Sequence, residues 1–213
     1  MQLSPYLDAT ILKPDAKRQE FIELCQDSMT HHFPAICVPP FMIEFCKHEL
    51  SSSPVKVATV IGFPAGYQTI PVKLFELKDA ISRGADEIDY VVHRGYLSNN
   101  DFENIKEETL AWVDISKQNN VISKWIIESS ELTQDQILRL LALANQFKPD
   151  YVKTSTGVYG KAKLEDVQLF RKELVPEIKI KAAGGISTRE IAEELVKAGA
   201  DRLGVSQYMN LVS

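Results

Sequence analysis

The sequence has 213 residues, of which 45% are hydrophobic and 25% are charged, and its formal net charge at pH 7 is −5. This length and composition are typical of a globular protein with one sizeable core. The acidic balance argues against nucleic acid or an anionic membrane as a partner, and no apolar stretch approaches the roughly 20 residues needed to span a bilayer.

Short runs rich in valine and isoleucine alternate along the chain with longer amphipathic stretches. Most of the short runs lack apolar–polar alternation, which is typical of parallel strands that are buried on both faces. Strands are predicted, in chain order, at Leu7–Ile11, Ala35–Val38, Lys56–Ile61, Glu87–Val92, Lys124–Glu128, Tyr151–Lys153, Ile178–Ala182 and Arg202–Val205.

Amphipathic helices are predicted between these strands. The stretch Pro71–Arg83 has apolar residues near one face, and Gly84 after it suits a helix C-cap. Capping-box spacing at Thr133–Gln136 and Ser187–Glu190 predicts that a helix begins at each. Eight strands alternating with helices favour an α/β fold, a (β/α)8 TIM barrel, as a single domain over residues 1–213. A doubly wound open sheet is the alternative.

Two lysines stand where a predicted strand runs into a glycine-containing turn. Lys153 precedes Thr154–Gly157, and Lys181 precedes Ala182–Gly185. Because the carboxyl ends of barrel strands converge on one mouth, these side chains are expected to meet. A neutral lysine attacks carbonyl groups, and a second ammonium nearby lowers its pKa. The pair predicts a Schiff-base enzyme, although the pattern does not rank the two lysines and leaves phosphate binding by Lys181 open.

Acidic and thiol side chains also fall near strand ends. Asp89 lies among apolar residues, and because a buried aspartate is costly unless paired, we expect a lysine partner. Asp8 has no firm role, and Glu128 either orders the lysines or serves as a structural carboxylate. Cys37 is expected to line a pocket, since the sequence places no histidine to activate its thiol.

Glycine turns follow the last three predicted strands. Backbone N–H groups in such turns, close to the start of a helix, bind phosphate well, and barrel proteins often bind phosphate at this position. The predicted phosphate-binding residues are Gly157, Gly184, Gly185, Ser187, Gly204 and Ser206.

The cysteine and histidine patterns argue against a metal site. Cys25, Cys37 and Cys46 are separated by 12 and 9 residues, a spacing typical of neither a disulfide framework nor a zinc site. Free thiols fit a reducing cytoplasm, and the first residues lack the basic and apolar regions of a signal peptide. A cytoplasmic protein without a metal is therefore expected.

Together, these segments resemble the deoxyribose-phosphate aldolase family over almost the whole chain. The Lys-Thr-Ser-Thr-Gly stretch is specific, and the ordered set of segments is more so. The segments are Asp8–Pro14, Ile36–Val38, Thr59–Pro64, Glu87–Asp89, Ile126–Glu128, Val152–Gly157 and Lys181–Thr188.

The resemblance implies a class I aldolase, a lyase of deoxyribonucleotide catabolism that needs no metal or cofactor. Its partners would be a small sugar phosphate and aldehydes, since the family cleaves 2-deoxy-D-ribose 5-phosphate reversibly to acetaldehyde and D-glyceraldehyde 3-phosphate. Lys153 matches the family's Schiff-base lysine, Lys181 the lysine that tunes its pKa and joins the proton relay, and Asp89 the aspartate of that relay. Thr154 is expected in the pocket. A homodimer is expected, because barrels of this sort commonly pair through their outer helices.

The sequence departs from the family pattern around the phosphate. Ser187 stands where many members have arginine, Val158 where some have lysine, and Gln207 where serine is commoner. These departures motivate one alternative, a Schiff-base aldolase for another, unphosphorylated aldehyde. Participation of Tyr208, near the C-terminus, is left open.

Two further alternatives lie outside aldolase chemistry. The first is a phosphate-binding isomerase or epimerase that uses Asp89 or Glu128 as its base. The second is a non-catalytic sugar-phosphate sensor, which would leave the two lysines and Asp89 without a purpose.

Overall fold

The computed structural model describes residues 1–212 and contains eight parallel strands in a closed barrel, whose order around the ring follows the chain. Pairing of Ala9 with Val205 helps to close the ring. The predicted (β/α)8 barrel is confirmed. The strands are β1 Leu7–Thr10, β2 Ala35–Val38, β3 Lys56–Ile61, β4 Glu87–Val91, β5 Ile122–Ile126, β6 Tyr151–Lys153, β7 Lys179–Ala183 and β8 Arg202–Val205.

Helices connect most successive strands and pack around the outside of the barrel. They are α1 Arg18–His31, α2 Ile43–Glu49, α3 Ile70–Ser82, α4 Arg94–Ser98, α5 Phe102–Gln118, α6 Gln134–Phe147, α7 Leu164–Glu173, α8 Arg189–Lys197 and α9 Met209–Val212. Within residues 1–212, none of these helices has both the length and the apolar character that a membrane span requires.

One predicted helix cap is confirmed and the other is wrong. Thr133 caps α6, since its Oγ1 accepts from Gln136 N at 3.3 Å and the Gln136 side chain accepts from Thr133 N at 3.1 Å. At α8 the cap is Thr188, whose Oγ1 accepts from Ile191 N at 3.4 Å. The chain offers two hydroxyl residues in succession, and the register set by the buried face of α8 selects the second. Ser187 is thereby left exposed.

β5 begins and ends two residues earlier than predicted. Its register places Lys124 opposite Asp89 and Ile126 opposite Val91. The chain then leaves the strand through Glu128, whose backbone is left-handed with φ of +57°. Lys124 therefore lies in the middle of a strand, flanked by buried neighbours, instead of at its start.

The two sides of the strands have different packing environments. On the outside, strands and helices share the main apolar core, whose largest fully buried side chains include Trp112, Trp125 and Tyr90. Inside the barrel, Cys37, Ala58 and Val60 form a small separate apolar cluster. Because the outer core buries most of the apolar surface, the barrel interior accommodates charged side chains as well.

A buried ion pair lies outside the barrel, between α3 and α5. Lys73 Nζ donates to Glu108 Oε1 and to the carbonyl oxygen of Val91, each at 2.6 Å. The lysine stem packs so closely on the β3–α3 loop that a Cβ at Gly62 would lie 2.7 Å from Lys73 Cε. This contact holds the loop against β4, and Phe63 of the same loop lines the candidate site.

We expect Lys73→Met to lower the free energy of unfolding by about 3 kcal/mol or more, because Glu108 would stay buried without a counter-ion. The double variant Lys73→Met/Glu108→Gln removes both charges and keeps an acceptor for the Tyr90 hydroxyl, which lies 3.2 Å from Glu108 Oε1. It should recover most of that loss. Urea unfolding followed by tryptophan fluorescence measures both values. Equal losses in the two variants would contradict the assigned cost of the unpaired carboxylate.

Candidate active site

Asp89 on β4 is at the centre of a cluster of charged side chains inside the barrel. Its Oδ2 lies 2.6 Å from Lys153 Nζ and 2.9 Å from Lys181 Nζ, and its Oδ1 lies 2.9 Å from Lys124 Nζ. Asp89, Lys124 and Lys181 are fully buried, and Lys153 is 3% exposed. The expected pairing of Asp89 with lysine is confirmed, and it involves three lysines.

The parallel register brings these side chains together. Lys153 and Lys181 are paired positions on β6 and β7, and Asp89 and Lys124 are paired positions on β4 and β5. Side chains that point into a closed barrel face one another across its interior. The two predicted lysines therefore meet, as their positions at the ends of strands indicated.

Further ion pairs extend the cluster deeper into the barrel. Lys181 Nζ also lies 2.6 Å from Asp8 Oδ2, and the other oxygen of Asp8 lies 2.5 Å from Arg202 Nη1. Lys124 Nζ lies 2.7 Å from Glu87 Oε2. Glu87 and Arg202 are the first residues of their strands, so this part of the cluster lies away from the mouth formed by the carboxyl ends.

The cluster contains one more basic side chain than acidic side chains. Its basic members are Lys124, Lys153, Lys181 and Arg202, and its acidic members are Asp8, Glu87 and Asp89. An uncompensated buried charge is costly, so loss of one proton balances the cluster. Lys153 contacts one carboxylate, whereas Lys124 and Lys181 each contact two. Lys153 is therefore the lysine that becomes neutral most easily.

The pKa values of the lysines follow from these contacts. Burial is the largest influence on the pKa of Lys153 and lowers it; Asp89 opposes this effect, and the charge of Lys181 adds to it. Burial also acts to lower the pKa of Lys181, but Asp8 and Asp89 outweigh it and raise that pKa above its usual value. The structure thus separates a lysine that deprotonates readily from one that stays charged.

Asp89 keeps its negative charge despite complete burial. Burial by itself would raise the pKa of this carboxyl, but the charges of Lys124, Lys153 and Lys181 hold the pKa well below its usual value. The pKa of Lys124 is raised, since Asp89 and Glu87 outweigh the effect of its burial. An ionised carboxylate therefore lies directly beside the nitrogen of Lys153.

A cavity of about 500 Å³ opens at the carboxyl ends of the strands. Of the seven charged residues in the cluster, only Lys153 lines this cavity. Asp89 and Lys181 lie beneath Lys153 and do not line the cavity. All six residues predicted to bind phosphate are among its lining residues: Gly157, Gly184, Gly185, Ser187, Gly204 and Ser206.

The loops after β6 and β7 approach each other backbone to backbone. Gly157 and Gly184 have positive φ angles of +82° and +96°. A Cβ at Gly184 would lie 2.7 Å from the carbonyl oxygen of Gly160 and 3.1 Å from Gly157 Cα. Only glycine fits both the left-handed backbone and this close approach. The two turns therefore bring their main chains to one side of the cavity.

Glu128 holds the loop that follows β6. Its fully buried carboxylate accepts hydrogen bonds from the backbone N–H groups of Thr156, at 3.2 Å, and Gly160, at 3.0 Å. Thr156 and Gly157 of this loop line the cavity. These contacts favour the interpretation of Glu128 as a structural carboxylate that shapes the cavity wall.

Two residues expected in the pocket lie beneath its surface. Cys37 is fully buried, and burial raises the pKa of its thiol to about 11. Thr154 is also fully buried, and its Oγ1 accepts from Ala183 N at 3.1 Å, which ties β6 to β7. Neither residue lines the cavity, because each is enclosed by the packed barrel. Thr156 and Ala183 form that part of the wall.

Sequence reasoning missed Lys124 and its partner Glu87. Both are charged residues within short β-rich segments that are otherwise largely apolar, and this is the same signal that singled out Asp89. The signal was available for Lys124, but the predicted strand began at this residue, which placed it away from the carboxyl ends where functional side chains were sought. Arg202 was missed although β8 was placed correctly, because it lies at the first residue of the strand and not at its carboxyl end.

Comparison with known proteins identifies the family of this chain. A model of the DeoC/LacD family of aldolases matches residues 5–207. The chain is 40% identical to deoxyribose-phosphate aldolase 1 of Oceanobacillus iheyensis, over 100% of this chain and 96% of that protein. It is 42% identical to the deoxyribose-phosphate aldolase of Caldicellulosiruptor saccharolyticus, over 100% and 97%. The tetrameric deoxyribose phosphate aldolase from Aeropyrum pernix superposes with a TM-score of 0.91 at 28% identity, over 99% of this chain and 89% of that one.

Proposed function

Because the chain belongs to the DeoC/LacD family of aldolases, we propose that it cleaves 2-deoxy-D-ribose 5-phosphate reversibly to acetaldehyde and D-glyceraldehyde 3-phosphate. The chain is a class I aldolase and hence a carbon–carbon lyase. The full-length similarity to relatives that carry the name deoxyribose-phosphate aldolase supports this substrate.

Lys153 is the proposed nucleophile. Its neutral Nζ attacks the C1 carbonyl carbon of the open-chain sugar, and the carbonyl oxygen takes up a proton to give a carbinolamine. Loss of water from the carbinolamine leaves a protonated iminium on Nζ. Lys153 supports this step because its pKa is lowered and because it alone of the charged cluster reaches the cavity.

Cleavage of the C2–C3 bond follows from the iminium. The C3 hydroxyl gives up its proton, C3 becomes the aldehyde of D-glyceraldehyde 3-phosphate, and the electron pair of the broken bond moves through C2 to the iminium nitrogen. The resulting enamine is protonated at C2, and water then hydrolyses the new iminium to release acetaldehyde and neutral Lys153. Atoms and charge balance without an oxidant or a reductant.

Asp89 and Lys181 are proposed to transfer protons to and from Lys153 Nζ. Both contact Lys153 or its carboxylate partner from beneath, and neither lines the cavity. They are placed to exchange protons with the nitrogen and with the carbinolamine oxygen, whereas water in the cavity carries the protons of C2 and the C3 hydroxyl. Ionised Asp89 also stabilises the positive iminium, since its Oδ2 lies 2.6 Å from Nζ.

The experiment that tests this proposal is reductive trapping. Incubation with 2-deoxyribose 5-phosphate and borohydride should reduce the iminium to a stable secondary amine, which intact mass and peptide mapping locate on Lys153. The exposed Lys161 in the same digest is the internal control for non-specific alkylation. No adduct on folded protein, with an aldolase of known activity trapped in parallel, would rule out the Schiff-base mechanism for this substrate.

The isomerase alternative has less support. It requires a carboxylate base in the cavity, and neither Asp89 nor Glu128 lines it. Glu128 is also engaged by two backbone N–H groups. Turnover of a sugar phosphate without any trapped adduct, and with loss of activity in Asp89→Asn or Glu128→Gln, would favour the isomerase.

We further propose that residues 1–213 act as one domain in the cytoplasm and pair as a homodimer. The closed barrel that runs from β1 to β8 supports the single domain. The free thiols of Cys25, Cys37 and Cys46 support a reducing compartment. Exposed Phe41 and Phe75, at 69% and 73%, support a partner surface. Light scattering after gel filtration tests the dimer against the monomer and the tetramer.

A further inference from the structure

Few charged side chains line the catalytic cavity. Among the described residues that form its wall, the only ionisable cations are Lys13 and Lys153, and no carboxylate is present. Val158 and Ser187 also line the cavity and carry no charge. Because Lys153 has to be neutral to attack a carbonyl, Lys13 is left as the one charged group that a ligand meets inside the wall.

Lys13 lies at the junction of two cavities. The neighbouring cavity shares Lys13, Ser206 and Gln207 with the catalytic one, but it also contains Glu20 and Glu23. Lys13 Nζ lies 2.5 Å from Glu20 Oε1, on the side away from the catalytic cavity. Its side chain is 55% exposed. A solvated, flexible pair of this kind is weak and exchanges its partner readily.

Glu20 is held in place independently of Lys13. Its other oxygen, Oε2, accepts a hydrogen bond from Lys17 N at 2.8 Å in the capping box of α1. If Lys13 moves away from Glu20, the Glu20 carboxylate therefore still caps α1 and still accepts the hydrogen bond from Lys17 N. Lys13 is the more exposed member of the pair, whereas Glu20 has a second contact.

We propose that Lys13 breaks its ion pair with Glu20 and binds the phosphate dianion of the substrate. Lys13 is then the residue that sets the preference of this enzyme for phosphorylated sugars. This inference rests on the proposed aldolase function and names the side chain behind its substrate class. The backbone of Gly184 and Gly185 and the hydroxyls of Ser187 and Ser206 share the wall with Lys13 and supply neutral hydrogen-bonding groups. A dianion opposite a single ammonium gains a charge-assisted contact that an unphosphorylated sugar lacks.

Two readouts test the proposal. The first is the ratio of kcat/KM for 2-deoxyribose 5-phosphate to kcat/KM for 2-deoxyribose, in which effects on the chemical step cancel. The second is the Kd of glycerol 3-phosphate by titration calorimetry, which needs no turnover. Lys13→Met should lower the ratio and weaken the binding by about tenfold or more, and Lys13→Arg should retain most of both.

Glu20→Gln tests the exchange itself. The amide keeps an oxygen for Lys17 N but no longer competes for Lys13, so glycerol 3-phosphate should bind severalfold more tightly. Lys161→Met is the matched control, because Lys161 packs on Gly185 from outside the cavity wall. Its ratio and Kd should stay within about twofold of the wild-type values.

Three results would overturn the proposal. The first is a Kd of Lys13→Met for glycerol 3-phosphate that equals the wild-type value. The second is loss of glycerol 3-phosphate binding in Lys161→Met instead. The third is an equal kcat/KM for the two sugars together with no detectable binding of glycerol 3-phosphate. In each case borohydride trapping of acetaldehyde on Lys153 still reports whether the aldolase mechanism holds. Failure of trapping with glycerol 3-phosphate binding intact contradicts the proposed function and leaves Lys13 as an anion-binding residue.

Discussion

Lys153→Met is expected to reduce turnover of 2-deoxyribose 5-phosphate by roughly 10⁴-fold or more and to abolish the borohydride adduct. The variant removes the only nitrogen of the charged cluster that lines the cavity. Methionine keeps most of the apolar stem and packs in its place. Steady-state kinetics and intact mass after trapping measure the two effects.

The same variant should stay folded, because Lys124 and Lys181 still pair with Asp89 after the substitution. Without Lys153, the three carboxylates Asp8, Glu87 and Asp89 still face three cations, Lys124, Lys181 and Arg202. Circular dichroism and the unfolding midpoint check this point. An adduct that appears on Lys181 in the variant would reverse the assigned roles of the two lysines.

Lys181→Met is expected to move the acidic limb of the kcat/KM profile to higher pH. The groups that face Lys153 are Asp89 on β4, Lys181 on β7 and Cys37 on β2. Loss of the Lys181 cation removes the repulsion that lowers the pKa of Lys153 and leaves Asp89 less neutralised. The pKa of Lys153 then rises. Since the amine reacts only when neutral, activity at pH 7 falls and recovers partly as the pH is raised.

A second variant separates this effect from loss of stability. Lys181→Met alone removes one of the two cations that Asp8 contacts, and this loss is expected to destabilise the protein by about 3 kcal/mol or more. Asp8→Asn/Lys181→Met also removes the carboxylate that Lys181 contacts at 2.6 Å, so it should recover most of that loss. The shifted limb should persist in the double variant while stability returns. An acidic limb that stays at its wild-type position in both variants would refute tuning by Lys181.

The fold and much of the candidate site could be predicted from the sequence, because the carboxyl ends of all strands in a parallel barrel lie at the same mouth. Polar residues at the ends of apolar runs identified Lys153, Lys181 and Asp89, and the eight runs indicated the barrel. The rank of the two lysines could not be predicted from the pattern. It depends on how many carboxylates each nitrogen contacts, and Asp8 reaches Lys181 only through the closure of β1 onto β8.

Small errors in register had larger consequences for the site. Lys124 was predicted as the first residue of β5 and was given no role, whereas the strand begins two residues earlier and places Lys124 inside the barrel against Asp89. The role proposed for Lys13 depends on its contact with Glu20, which belongs to the capping box of α1. Turn geometry and long-range ion pairs of this kind carry no periodic signal in a single sequence.

The burial of Asp89, Lys124 and Lys181 beneath Lys153 has a consequence for how such an enzyme changes over evolutionary time. Asp89, Lys124 and Lys181 do not line the cavity, and the cavity-lining residues Val158, Ser187 and Gln207 form no ion pair with them. Mutations at these cavity-lining positions are therefore expected to change which aldehyde substrate binds without changing the pKa of Lys153. A descendant of this enzyme can acquire a new substrate in this way and still form the iminium.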